Sequence, residues 1–185
     1  MSLGQVLVNR AMAADPIREV DWNAVYSDQL PRVYNYLRFR IGNETDVEEL
    51  TSRTFEKAWR SRTLYRRDLA GFSTWLFTIA QNVAIDHLRA RRPHLPLETA
   101  LEVMSADSPH EEAERDSNLA RLAVLMQGLS QRDQEVVALK YGANLTNREI
   151  ARLTGLSESN VGTLLHRAVR QLRSGWEPRE NSHER

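Results

Sequence analysis

Cysteine is absent from the 185 residues. That excludes a disulfide framework and any thiolate metal site, and it fits a reducing compartment, so a cytoplasmic location is expected. Long apolar runs are lacking too: no stretch approaches the ~18 residues needed to span a bilayer, and no membrane insertion is expected. Met1 to Val8 has neither a basic segment nor a long apolar core, and is not read as a secretory signal. The sequence shows no strand pattern, no internal repeat, no glycine-rich phosphate loop and no nucleophile beside a base. His87 next to Asp86 is not a catalytic pair, because adjacent helical residues point in different directions. His166 has no second ligand at a useful spacing. Neither catalysis nor a cofactor nor a metal is expected.

Net charge is also lacking: 25 basic residues balance 25 acidic ones. The average hides segregation. Between Arg53 and Arg92 nine basic residues face three acidic ones, a local charge of +6. Between Pro96 and Asp116 seven acids face Arg115, a local charge of −6. Between Lys140 and Trp176 six basic residues face Glu149 and Glu158, a local charge of +4. Two basic lobes joined by an acidic connector suit two nucleic-acid surfaces with a linker kept off DNA. Solvated helix faces are the bland alternative.

What the sequence does have is helical periodicity. Val25, Leu30, Val33, Leu37 and Ile41 predict a helix from about Trp22 to Ile41, stopped by Gly42-Asn43. Thr45 to Glu48 reads as a capping box with Thr45 as N-cap. The helix it opens carries Val47, Leu50, Thr54, Phe55, Ala58 and Trp59 on one face. Ser61 to Gly71 is basic and poorly periodic, and reads as a loop. Leu76, Phe77, Ile79, Ala80, Val83, Ala84 and Leu88 form the stripe of a helix from Ser73 to about Arg92, ended by Pro93 and Pro96. Trp75 beside it is expected in the core. A linker follows, with a short helical turn around Leu97 to Met104. Helix resumes near Glu111, carries Leu119, Leu122, Ala123 and Met126, and closes at Gly128. Ser130 caps a helix from Gln131 to Tyr141, Gly142-Ala143-Asn144 breaks it, and Thr146 to Glu149 forms a second capping box. The fold expected is all-α, with two small helical domains joined by a flexible acidic linker. The boundaries are an N-terminal extension over 1–20, a first domain over 21–93, the linker over 94–114, a second domain over 115–174 and a polar tail over 175–185.

Thr146 to Leu165 reads as a helix-turn-helix. Ala151 is the small residue that a steep helix crossing requires, and Gly155 four residues later tolerates the positive φ of the tight turn. Leu156 plugs the corner and Ser157 caps the second helix. Val161, Leu165, Ala168 and Leu172 form that helix's buried stripe. Glu158, Ser159, Asn160, Thr163, His166, Arg167 and Arg170 then face outward, where a recognition helix meets the major groove. Asn160 can pair with adenine and Glu158 can accept from cytosine, while Arg167 and Arg170 suit phosphates. A helical hairpin packed on a protein partner is the competing reading.

These residues resemble a known family. Leu129 to Tyr141, Thr146 to Ala151, Val161 and Leu165 to Ala168 resemble region 4 of sigma-70 family sigma factors, in the extracytoplasmic-function (ECF) group. Asp46-Val-Glu-Glu-Leu50 with Phe55-Glu-Lys-Ala-Trp59 resembles region 2.2. Phe72 to Leu76, Ile79 to Asn82 and Ala84 to Arg89 resemble regions 2.3 and 2.4. The resemblance spans about Trp22 to Arg173. It implies partnership with core RNA polymerase through the β′ clamp helices and the β flap, with Asp46, Glu49, Leu50 and Phe55 at the clamp contact. Leu50 and Phe55 read equally well as core. It further implies that region 2 recognises and melts the −10 element. There Arg66 and Arg67 would track the melted non-template strand, Tyr65 would stack on a base, and Asn82, Asp86, Arg89 and Arg92 would face DNA. Region 4 would read the −35 element. An anti-sigma factor is a further partner of such proteins. Arg53 departs from the family by reversing a charge on the docking face. Gly162 and Leu164 stand where many relatives carry basic residues, so weaker −35 binding is expected.

The alternatives are an autonomous helix-turn-helix regulator that binds duplex DNA without polymerase, and an all-helical interaction protein. The basic loop and the front-half motifs argue against the first, and the second would leave the charge segregation incidental.

Overall fold

The structure, a computed structural model, describes residues 21–91 and 110–176. The N-terminal extension, Arg92, the helical turn around Leu97 to Met104 and most of the tail lie outside them. All regular structure among the described residues is helical. The elements are α1 (Trp22–Ile41), α2 (Glu44–Arg60), a 3-10 turn (Arg62–Leu64), α3 (Phe72–Arg91), α4 (His110–Gln127), α5 (Gln131–Val137), a π turn (Ala138–Gly142), α6 (Asn147–Thr154) and α7 (Glu158–Trp176).

Helices α1, α2 and α3 pack on one another as the front unit. α1 buries Val33 and Leu37, α2 buries Val47, Leu50 and Ala58, and α3 buries Leu76, Phe77, Ala80, Val83 and Ala84. Each fully buried large apolar side chain stabilises the unit by about 1.5–3 kcal/mol. Two threonines are buried in α2 with their hydroxyls satisfied: Thr51 and Thr54 donate at 2.7 Å to the carbonyls of Val47 and Leu50. Gly42 ends α1 with φ of 82°. The start of α2 differs from expectation. Asn43, not Thr45, is the N-cap, and its side chain accepts from the Asp46 backbone N–H. Trp59 also differs: it is half exposed, edge-on to Trp22, with the Arg62 guanidinium 4.2 Å from its ring.

The rear unit is built from α4 to α7. Ser130 caps α5 through the Asp133 N–H, as expected. The helix expected to run to Tyr141 instead changes pitch at Ala138, where a π turn begins and Ala143 N–H reaches back five residues to the Ala138 carbonyl. The Thr146 capping box is complete, with each partner bonding the other's backbone. α7 packs against α4, α5 and α6. Its buried set is Val161, Leu164, Leu165 and Ala168. Leu164 is therefore core, not an exposed position that lost a basic side chain. A helix covered by three neighbours buries a wider stripe than a two-helix hairpin does.

The two units share one core. α1 lies against α5 and the π turn, and α3 touches α6. Tyr36 and Gln81 each donate at 2.9 Å to Glu135 Oε1, and Arg40 Nε lies 2.7 Å from Glu135 Oε2. Arg32 Nε donates to the Ala143 carbonyl at 2.9 Å. Burial, and next the Glu135 carboxylate, push the Tyr36 hydroxyl well above its ordinary value, so it stays protonated and donates.

Candidate nucleic-acid interface

The helix-turn-helix is formed by α6, a turn at Gly155 with φ of 70°, and α7. Ile150 on α6 and Val161 on α7 are fully buried. Ser157 Oγ accepts from the Asn160 backbone N–H at 3.2 Å, which fixes the first turn of α7. Ser159, Asn160, Thr163, His166 and Arg170 are exposed along α7 at helical spacing, a single polar strip. Two expected contact residues have partners inside the protein. Glu158 pairs with Arg148 of α6 at 3.0 Å, with both side chains more than half exposed. Arg167 Nη2 grips both oxygens of Asp133, at 2.6 and 2.8 Å. Asp133 is buried and also accepts from the Ser130 hydroxyl. Arg167 thus ties α7 to α5, which sequence spacing could not reveal.

The carboxylate of Glu149 completes the cap beneath this strip. Burial alone would raise its pKa. The Thr146 backbone N–H and hydroxyl, with Arg32 and Arg152, outweigh that and hold it below its ordinary value.

On the front unit, Asn82, Asp86 and Arg89 are exposed together on α3, spaced four and three apart. Lys57 of α2 comes within 4.0 Å of Asp86, so α2 borders the same face. Arg66 bonds Asp68 through Nε and Nη2, a contact within the loop that follows the 3-10 turn. The expected base-stacking role of Tyr65 does not fit its placement. Its ring is buried, packed on Phe72 at 5.5 Å and Trp75 at 5.2 Å. An aromatic residue in a basic loop suggested a free ring, but the 3-10 turn carries it inward. Trp75 packs against the core as expected.

The expected polymerase-contact residues divide in the same way. Glu49 is exposed on α2, and Arg53 is exposed four residues along. Leu50 is only 1% exposed, so it is core and offers no surface to a partner. Phe55 is partly buried and packs edge-on against Tyr26 at 4.7 Å. Asp46 is engaged by Arg91 at 2.9 Å and faces His87 at 3.7 Å, joining the start of α2 to the end of α3. Among the described residues, no group of three His, Cys, Asp or Glu side chains is placed to hold a metal ion. No described helix is long and apolar enough to cross a membrane.

Comparison with known proteins agrees with this geometry. Residues 25–94 match the family model for sigma-70 region 2, and residues 119–172 match that for sigma-70 region 4. The ECF RNA polymerase sigma factor BldN of Streptomyces coelicolor is 33% identical over 171 residues, covering 90% of this chain and 63% of BldN. The ECF RNA polymerase sigma factor SigE of Mycolicibacterium smegmatis is 31% identical over 158 residues, covering 82% of this chain and 60% of SigE. The chain thus spans about six-tenths of the length of these two relatives. Among solved structures, CnrH in complex with the cytosolic domain of CnrY aligns with a TM-score of 0.58 at 28% identity, covering 82% of each chain. The sigma factor RpoE of Bartonella quintana, in complex with the anti-sigma factor NepR, aligns with a TM-score of 0.67 at 20% identity over 84% of this chain and 96% of that one, a likeness of fold. The two family models fall, in order, on the two helical units that carry the exposed polar faces, and together they take in about two thirds of the chain: it belongs to the sigma-70 family, in its ECF group.

Proposed function

We propose that this chain directs core RNA polymerase to promoters. The front unit docks on the β′ clamp helices through the exposed side of α2, around Glu49, and reads the −10 element with Asn82, Asp86 and Arg89. Arg66 and Arg67 follow the melted non-template strand. The rear unit reads the −35 element with the first turns of α7, held near the β flap. Ser159, Asn160 and Thr163 meet base edges, and Arg170 meets phosphate. Such a role is non-catalytic and belongs in the cytoplasm.

The observation that carries this reading is the pairing of two exposed polar helical faces with the two family models in their order. A duplex-binding regulator needs only the second. The resemblance also brings an anti-sigma factor as a candidate regulator, and the relative CnrH was solved with a protein bound to it.

Footprinting of the chain with core polymerase on responsive promoter DNA tests the proposal. Protection is expected at −10 and −35 only when both proteins are present. Arg89→Ala should weaken the −10 footprint and Asn160→Ala the −35 footprint. Equal protection by the chain alone would favour an autonomous regulator.

A further inference from the structure

Arg148 stands beside the exposed polar strip of α7. It lies in the first turn of α6, which the Thr146–Glu149 capping box fixes. The left-handed turn at Gly155 then folds α7 back against α6. Two contacts bring the start of α6 to the strip. Arg148 Nε donates to Glu158 Oε1 at 3.0 Å. One turn further along α7, a Cβ on Gly162 would meet only the side-chain amide of Asn147, the neighbour of Arg148, at 3.9 Å. The first turn of α6 therefore borders the strip on one side.

Stability does not account for the Arg148–Glu158 pair. The side chains are 70% and 53% exposed, and so wet a pair contributes little to folding. Ile150 of α6 and Val161 of α7, both fully buried, hold the two helices together instead. The pair does set the position and charge of Glu158, the first residue of α7. That end of a recognition helix enters the major groove. Duplex DNA carries one negative charge per about 1.7 Å, so a lone carboxylate there is repelled. Arg148 offsets the charge and fixes the side chain. The bond takes Nε and Oε1, leaving Glu158 Oε2 to accept from a base edge. Cytosine N4 suits it best, because adenine sets the acceptor N7 beside its N6 donor, where it repels a carboxylate. The two Nη groups of Arg148 are left for a phosphate, since the first helix of a helix-turn-helix crosses the DNA backbone.

We infer that Arg148 is a positioning residue for sequence readout: it holds Glu158 on the N4 amino group of a cytosine in the −35 element while its Nη groups bind a neighbouring phosphate. The inference rests on the −35 role proposed for the rear unit. It makes α6 part of the reading surface, and it gives Glu158 a base to read because of its ion pair rather than despite it.

The test offers responsive promoter DNA, randomised over its −35 element, to the full chain with core polymerase. The sequences selected by wild type should hold one position to cytosine. Promoters carrying each of the four bases there are then compared. Glu158→Ala should reduce the preference for cytosine about fivefold, the low end for a base contact, since one hydrogen bond is lost. Arg148→Ala should lose the same preference and also flatten the salt dependence by about 0.9 in log–log slope. Arg148→Lys keeps a charge for the phosphate but not the fork that holds Glu158, so it should keep the slope and lose the preference. Arg148→Ala with Glu158→Ala should cost no more preference than either alone. All four variants should melt with wild type, because the pair is exposed. A cytosine preference that survives Arg148→Ala or Arg148→Lys, or that is lost only together with a lowered melting temperature, would overturn the positioning role. So would a selected element in which no position responds to Glu158→Ala. A salt slope unmoved by Arg148→Ala would overturn the phosphate contact. If no sequence at all is selected at −35, the −35 reading itself fails and the pair falls with it.

Discussion

At the scale of single residues, two neighbours on α7 that look alike in sequence have opposite fates. The family resemblance leads one to expect basic side chains at both Gly162 and Leu164. Leu164 is 6% exposed and belongs to the core. Leu164→Arg should therefore destabilise the chain by several kcal/mol through a buried charge, seen as a lower melting temperature rather than tighter DNA binding. A Cβ at Gly162 would meet only Asn147 Nδ2, at 3.9 Å. Gly162→Lys should add helix stability, somewhat less than the roughly 0.8–1 kcal/mol that separates glycine from alanine. If its ammonium reaches a phosphate, the salt dependence of duplex binding should steepen by about 0.9 in log–log slope. Glu149 gives a pH signature. Its folded pKa is lowered, so its contribution to stability is present above the ordinary carboxylate range and is lost as pH falls through the lowered value. Thermal melts of wild type and Glu149→Gln should differ at neutral pH and converge in acid. A difference that persists unchanged in acid would show that the charge is not what matters.

At the scale of elements, the recognition helix is aimed by a buried carboxylate. Asp133 fixes α5 to α7 through Arg167 and anchors the Ser130 cap. Asp133→Ala should cost about 1–3 kcal/mol in denaturant titration, because it strips partners from both groups. Asn160→Ala should cost roughly 1–3 kcal/mol of discrimination at one base pair, while Arg170→Ala should weaken all sequences alike and reduce the salt slope by about one. Competition binding across single-base variants separates the two.

The helices themselves were legible in the sequence because their signals are local. Trp22–Ile41 follows from one apolar period and a glycine stop, and the Thr146 cap and the Gly155 turn follow from backbone chemistry a few residues long. What was hidden depends on distant neighbours. Asn43 and Thr45 are both good cap residues, and Asn43 is the one whose side chain reaches Asp46 N–H. Tyr65 looked free until Phe72 and Trp75 closed on it. Arg167 looked like a phosphate ligand until Asp133, 34 residues away, claimed it. No periodicity marks Glu135 as the meeting point of Tyr36, Arg40 and Gln81.

At the scale of the whole molecule, zero net charge conceals a division of labour. Basic side chains gather in the two helical units, and acids gather in the segment between them. The units are matched by region 2 and region 4 of one family, and they are clasped together in the free chain. The account predicts a protein inert on its own that acquires a two-element footprint on polymerase. The most direct measurement maps transcription start sites made by core polymerase on fragmented genomic DNA, with and without the full chain. Discrete new starts are expected only when the chain is added, with shared sequence near −10 and −35. Arg89→Ala and Asn160→Ala should each reduce them. No new starts, together with no binding to β′ and undiminished binding to duplex DNA, would contradict the account.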